Sequence, residues 1–252
     1  MKSQTLNKVA QVTLLFWIMK IIATTLGETL GDFIAQTLGL GYSVGIAITM
    51  SFFILSLSIQ LYTKRYIPVF FWIVIIATTT LGTEISDYMD RSLGLGYTYG
   101  SLILFISLVA VLFIWYKAYG NLNVYPIINK KKEIYFWSAV LLSNSLGTAF
   151  GDYLSDVIGF SYLQGALVTS CIIAIVIFLH YFTKINQVLL FWIAFIFTRP
   201  FGATFGDLLT KPIAKGGLDL GTLSSSLISI GLMTILIILA HAKHKNNRPE
   251  SL

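Results

Sequence analysis

Four aspartates recur in this chain at one place in a repeated pattern: Asp32, Asp87, Asp152 and Asp207. Glu28 precedes Asp32 by one helical turn, and Glu84 lies three residues before Asp87. Carboxylates bind protons and hard cations, work as acid/base pairs, or hydrate helix ends. Residues four apart share a helix face. Stepping back by fours from each aspartate gives Glu28, Thr24 and Lys20 in the first copy, and Thr83 and Thr79 in the second. The third gives Thr148 and Asn144, and the fourth Ala203 and Arg199. Each copy therefore carries a polar stripe that ends in an acid, with Thr24, Thr79 and Asn144 offering oxygen ligands below it.

Oxygen is the only ligand type on this stripe. His180, His241 and His244 lie far from it in sequence, and Cys171 is alone. An all-oxygen set suits Mg, Ca, Mn, Na or protons and not the softer metals. The metal ligands expected are Asp32, Asp87, Asp152 and Asp207. A divalent cation or Na is the expected bound species, with no covalent cofactor. Charge supports the idea. Glu28, Asp32, Glu84, Asp87, Asp152 and Asp207 face only Lys20 and Arg199 as counter-charges. Arg199 is expected to pair with an acid inside the bundle. Lys20 either does the same or snorkels to the near surface. The excess of at least four negative charges has to be met by protons or cations.

The elements that hold these residues are membrane helices. Of 252 residues, 56% are hydrophobic and 11% charged, against roughly 25% charged in soluble domains. Mean hydropathy is +0.80. About 20 apolar residues cross a bilayer, and eight such spans are expected: 12–37, 43–62, 68–91, 97–118, 134–156, 162–182, 188–211 and 221–241. The termini and the loops after helices two, four and six carry twelve Lys and Arg; the opposite loops carry three, Arg91, Lys211 and Lys215. That bias places both termini in the cytoplasm of a multi-pass inner-membrane protein. It also explains the net charge of +6 without a nucleic-acid partner. The longest connection, 119–133, is read as a cytoplasmic linker.

The four units align without a gap over "FWIMKIIATTLGETLGD", "FWIVIIATTTLGTEISD", "FWSAVLLSNSLGTAFGD" and "FWIAFIFTRPFGATFGD". Their repeats are set at 12–62, 68–118, 134–182 and 188–241. Tyr42, Tyr97 and Tyr162 follow the aspartates by ten residues in the first three units, and the fourth departs with "KPIAKGGLDLG". On the Phe-Trp and Gly-x-x-x-Gly-Asp elements the chain resembles a bacterial family of integral membrane proteins. That family is built of four tandem two-helix repeats of unknown function (the domain-of-unknown-function 347 type), each with a recurrent Trp. Unit two departs from the pattern at Ser86. The resemblance implies the architecture and no activity.

Two spans per unit make all units insert the same way up, with pseudo-symmetry about the membrane normal. The fold expected is an all-α membrane protein of eight transmembrane helices in four parallel repeats. Each aspartate lies about 22 Å along its helix from the Trp, near the far interface. Gly27, Gly31, Gly82, Gly147, Gly151, Gly202 and Gly206 are read as helix-packing positions. The Phe-Trp pairs and the three tyrosines are read as interfacial anchors. Asp90, Asp156 and Asp219 are read as hydrated span ends.

The function expected is a transporter or channel for a hard cation, lined by the odd helices. Proton-coupled transport of a small organic solute, with Arg199 holding an anionic group, is the alternative, followed by a non-transporting scaffold. No Gly-x-Ser-x-Gly, His-Glu-x-x-His or nucleotide loop is present, so an enzyme is not expected. The expected partners are the lipid bilayer and a small cation or solute, in a monomer or homodimer.

Overall fold

A computed structural model describes residues 7–246; Lys2 and Arg248, two of the charges used for orientation, lie outside them. The described residues form eight long helices and no strand. They are α1 (Leu14–Asp32), α2 (Gly41–Tyr62), α3 (Pro68–Asp87), α4 (Gly96–Tyr119), α5 (Lys130–Asp152), α6 (Tyr162–Phe182), α7 (Gln187–Thr210) and α8 (Thr222–Asn246). Seven are long and apolar enough to cross a membrane. The eighth, α5, opens on "KKKE" and carries Ser143-Asn144-Ser145 at its middle. It fills the place in the bundle that α1, α3 and α7 fill in their units. The chain is an all-α membrane protein of four parallel two-helix repeats.

The helix ends follow from sequence. Asn129 caps α5 by accepting from the Lys131 N–H, so α5 begins four residues before the expected span. In units one to three the helix continues past the aspartate as one wide π turn, Phe33–Thr37, Tyr88–Ser92 and Tyr153–Val157. Such turns shift the side-chain register and cluster at functional places. Gly39 and Gly41, with φ of 67° and 74°, then reverse the chain in a conformation that other residues rarely adopt. In unit four there is no π turn, and Pro212 stops the helix two residues past Thr210.

The odd helices make a closed ring. α1 packs on α3, α3 on α5, α5 on α7, and α7 on α1. The even helices stand outside, each against the odd helix of the following unit: α2 on α3, α4 on α5, α6 on α7, and α8 back on α1. Between 61% and 72% of the apolar windows of α1, α3 and α7 is buried, but only 22–28% in the even helices. The odd helices are the core, and the even helices are its lipid-facing sheath.

The glycines set the ring's diameter. A Cβ at Gly27 would overlap Thr79, one at Gly147 would overlap Arg199, and one at Gly202 would overlap Thr24. At Gly82 it would meet Asn144 at 3.0 Å, at Gly31 Thr83 at 3.0 Å, at Gly151 Ala203 at 3.1 Å and at Gly206 Glu28 at 2.9 Å. Each glycine thus receives the stripe residue of the next unit, and the fourth receives that of the first. Small residues let the backbones approach closely, and hydroxyls then bond across the seam. Thr79 donates to the Ala23 carbonyl at 3.0 Å, Thr83 to Gly27 at 3.1 Å, and Thr24 to Thr198 at 3.2 Å.

The Phe-Trp pairs are not interfacial anchors. Phe16, Phe71, Phe136 and Phe191 are buried, as are Trp72, Trp137 and Trp192; only Trp17 is half-exposed. The four phenylalanines close one end of the ring over a void of about 10 Å³, room for one water at most. Residues 7–10 lie across that end. Tyr66 N–H donates to the Asn7 carbonyl at 2.6 Å, and Lys8 N–H to that of Ile127 at 2.9 Å. Lys8 itself is buried in an ion pair with Glu133, whose other oxygen accepts from Gln60 at 3.1 Å.

Candidate functional site

The opposite end of the ring, the Asp end, gathers the charge. Asp32, Asp87, Asp152 and Asp207 are all buried at one level. They do not form a single ring of metal ligands, because two cations divide them. Arg91 reaches Asp87 at 3.4 Å and Asp152 at 3.2 Å. Lys211 bonds Asp32 and lies 3.2 Å from Asp207. Both cations come from the position four after an aspartate. Unit one has Gln36 at that position, and its amide donates to Asp32. Unit three has Asp156, which is exposed, as is Asp219.

The two cations differ in their bracing. Arg91 donates to the Tyr42 hydroxyl at 2.8 Å and to the Tyr97 hydroxyl at 3.2 Å. Two of the three tyrosines expected in a membrane belt therefore hold an arginine over the acids. Among the described residues no hydroxyl braces the Lys211 ammonium, and Lys211 lies one residue beyond α7. Burial lowers its pKa, but Asp207 and Asp32 more than offset this, and the net shift is upward. The ammonium stays charged across the physiological range.

Two turns before Asp207 on α7, Arg199 is fully buried. Its Nη2 donates to Glu28 at 2.8 Å and to Thr83 at 2.6 Å, while among the described residues its Nε and Nη1 have no hydrogen-bond partner. Below that, Lys20 is also fully buried. It does not snorkel: its ammonium donates to Asn144 Oδ1 at 2.8 Å and sits 4.1 Å from the centre of the Phe195 ring. Asn144 in turn donates to Thr78 at 3.1 Å. Thr24, Thr79 and Asn144 thus spend their polar atoms on helix seams and on Lys20, in place of the open path they were expected to line.

Glu84, beside the stripe in sequence and expected with Glu28 to add ligands or carry protons, turns away from the Asp end. It is buried against Gly45 of α2, and neither oxygen has a hydrogen bond. Asp90, expected at a wet edge, is likewise buried, against Gly100 of α4. The charge ledger changes accordingly. Glu28, Asp32, Asp87, Asp152 and Asp207 face Lys20, Arg91, Arg199 and Lys211, so the excess in the ring falls from at least four to one, with Glu84 and Asp90 buried apart from it against α2 and α4.

One trio can hold a cation. Glu28, Asp32 and Asp207 each offer one oxygen, and these lie within 4.8 Å of one another. Three carboxylate oxygens at that spacing match part of a hard-ion shell. Lys211 already touches two of the three residues. Asp87 and Asp152, also expected as metal ligands, lie outside the trio.

A family model described as Repeat of Unknown Function (DUF347) matches residues 15–66, 70–120, 135–186 and 190–246. The chain belongs to this family. Each family repeat is one odd helix and the even helix that follows it, with boundaries at the Phe-Trp end. The repeat is thus a unit of sequence whose two helices are shared between neighbours in the fold. No curated protein and no solved structure matches the chain.

Sequence reasoning missed Arg91, Lys211, Gln36, Tyr42 and Tyr97 as members of this site. One further step of four beyond each aspartate would have found the first three. Counting Arg91 and Lys211 as loop charges hid them.

Proposed function

We propose that this chain is a carrier for a small hard cation, bound at the Asp end by Glu28, Asp32 and Asp207. The convergence of those three buried carboxylates, two of them on the Lys211 ammonium, carries the reading. Lys211 acts as a tethered stand-in that an incoming ion displaces. With the termini in the cytoplasm, the Asp end faces outward from the inner membrane. A carrier is favoured over a channel. The polar stripe stops at Lys20 and Phe195, the four phenylalanines close the far end, and two buried cations at mid-depth would repel a cation passing straight through. Transport by such a bundle needs relative movement of its helices. The reading involves no catalysis and no covalent cofactor.

One observation favours a second reading. The two unbonded donors of Arg199 could take an anionic group on a small organic solute, with the acids then carrying protons. The two readings separate in proteoliposomes. Saturable flux of one hard ion, lost in Asp32→Asn, supports the first. Flux that follows a proton gradient, needs an organic anion and ignores every metal supports the second. No flux of either kind sinks both.

A further inference from the structure

The second and third Phe-Trp pairs are 65 residues apart, against 55 for the other intervals. The extra residues build something. Gly120 ends α4 with φ of 69°, and the connection then crosses the Phe-Trp end of the bundle. It is tied to unit four where Trp192 Nε1 donates to the Leu122 carbonyl at 3.2 Å. Between this connection, the last turns of α4 and the first turns of α7 lies a groove of about 510 Å³. That volume is within the range of small-ligand sites, roughly 300–1,000 Å³.

The groove is amphipathic along its length. Leu112, Leu189, Ile193 and Ile196 form its walls, and Asn121 and Asn186 stand at its mouth. On α7 it runs from Val188 to Ile196, about 12 Å at ~1.5 Å per residue. It therefore starts at the membrane boundary and descends into the apolar layer, open sideways to lipid. Lys132 is at the mouth, with its ammonium 3.5 Å from Asn121 Oδ1. Among the described residues no carboxylate pairs with it. Lys117 lies in the last turn of α4 and Lys184 just before α7, and no acid lines the groove.

We propose that this groove binds one anionic phospholipid, with an acyl chain along α7 and the phosphate at Lys132 and the two asparagines. An apolar slot at bilayer depth needs an acyl chain to fill it, and a lysine that lies 6.0 Å from the Trp115 ring centre with no carboxylate partner among the described residues, beside side-chain amides at the interface, fits a phosphate. The site is independent of the cation reading and belongs to the interval that breaks the repeat. It locks unit two to unit four through the connection.

The test is native mass spectrometry of the full chain with equal phosphatidylglycerol and phosphatidylcholine added. One bound phosphatidylglycerol should be retained with about fivefold preference, the effect of one basic residue at a membrane surface. Lys132→Gln should bring the two lipids to parity. Ile196→Trp, which fills the slot, should lose retention of both. Unchanged melting of both variants in lipid-free detergent establishes that they are folded. Equal retention of the two lipids by the natural chain would overturn the proposal, as would a preference that survives both substitutions.

Discussion

The two halves of the acidic layer are built on one plan and finished differently. In each, a cation four residues past an aspartate bridges that aspartate to one on a neighbouring odd helix. In the half made by units two and three, Arg91 touches Asp87, Asp152, Tyr42 and Tyr97. In the half made by units four and one, the Lys211 ammonium touches, among the described residues, Asp32 and Asp207 alone, and Glu28 brings a third carboxylate. Guanidinium forks bond several planar partners at once and stay charged; an ammonium is a mobile point charge. Repetition thus supplies two ion-pair frames. The arginine frame is braced, and the lysine frame can exchange its cation.

Substitutions can break this contrast, and the largest effect should come from beneath the lysine half. Arg199→Met leaves Glu28 buried without its partner and should cost about 3–5 kcal/mol of stability in detergent. Adding Glu28→Gln should recover part of that, which a double-mutant cycle of melting curves would measure. Arg91→Ala should cost about 2 kcal/mol, less than a fully buried pair because its side chain is 32% exposed. Arg91→Lys should fail to restore it, since one ammonium cannot meet four partners. Lys211→Ala removes two side-chain contacts where Arg91→Ala removes four, and should cost about 1 kcal/mol without added ion, which the binding ion should recover. Smallest is Tyr42→Phe, which removes one partly exposed bond to Arg91 and should cost about 0.5 kcal/mol by thermal melting. If Lys211→Ala destabilises more than Arg91→Ala and no ion rescues it, the two frames are the same kind of structure.

The fold was legible because it is periodic. The Phe-Trp, Gly and Asp positions recur without gaps, so the helices, their common direction and the packing glycines follow from sequence alone. Which helix touches which does not. Each even helix packs mainly on the next unit's odd helix rather than on its own, and no local pattern records that. The Phe-Trp pairs look like membrane anchors because aromatic residues at helix ends often are. Here residues 7–10 and the connection near Ile127 cover that end and turn it into core. The site was half legible. The acids and Arg199 stand out against a greasy background, whereas Arg91 and Lys211 pass for topology charges once each helix is taken to stop at its aspartate. Glu84 was misplaced for a simpler reason: lying one position off the stripe turns it about 100° toward α2.

The most direct measurement is the melting temperature of the purified protein across Mg, Mn, Ca, Na and pH. It compares the natural chain with Asp32→Asn, Asp87→Asn and Lys211→Ala. The account predicts a saturable rise with one hard ion, a larger rise in Lys211→Ala, none in Asp32→Asn and a retained rise in Asp87→Asn. A rise lost equally in Asp32→Asn and Asp87→Asn, or no ion-specific rise in any chain, would contradict an exchangeable site at Glu28, Asp32 and Asp207.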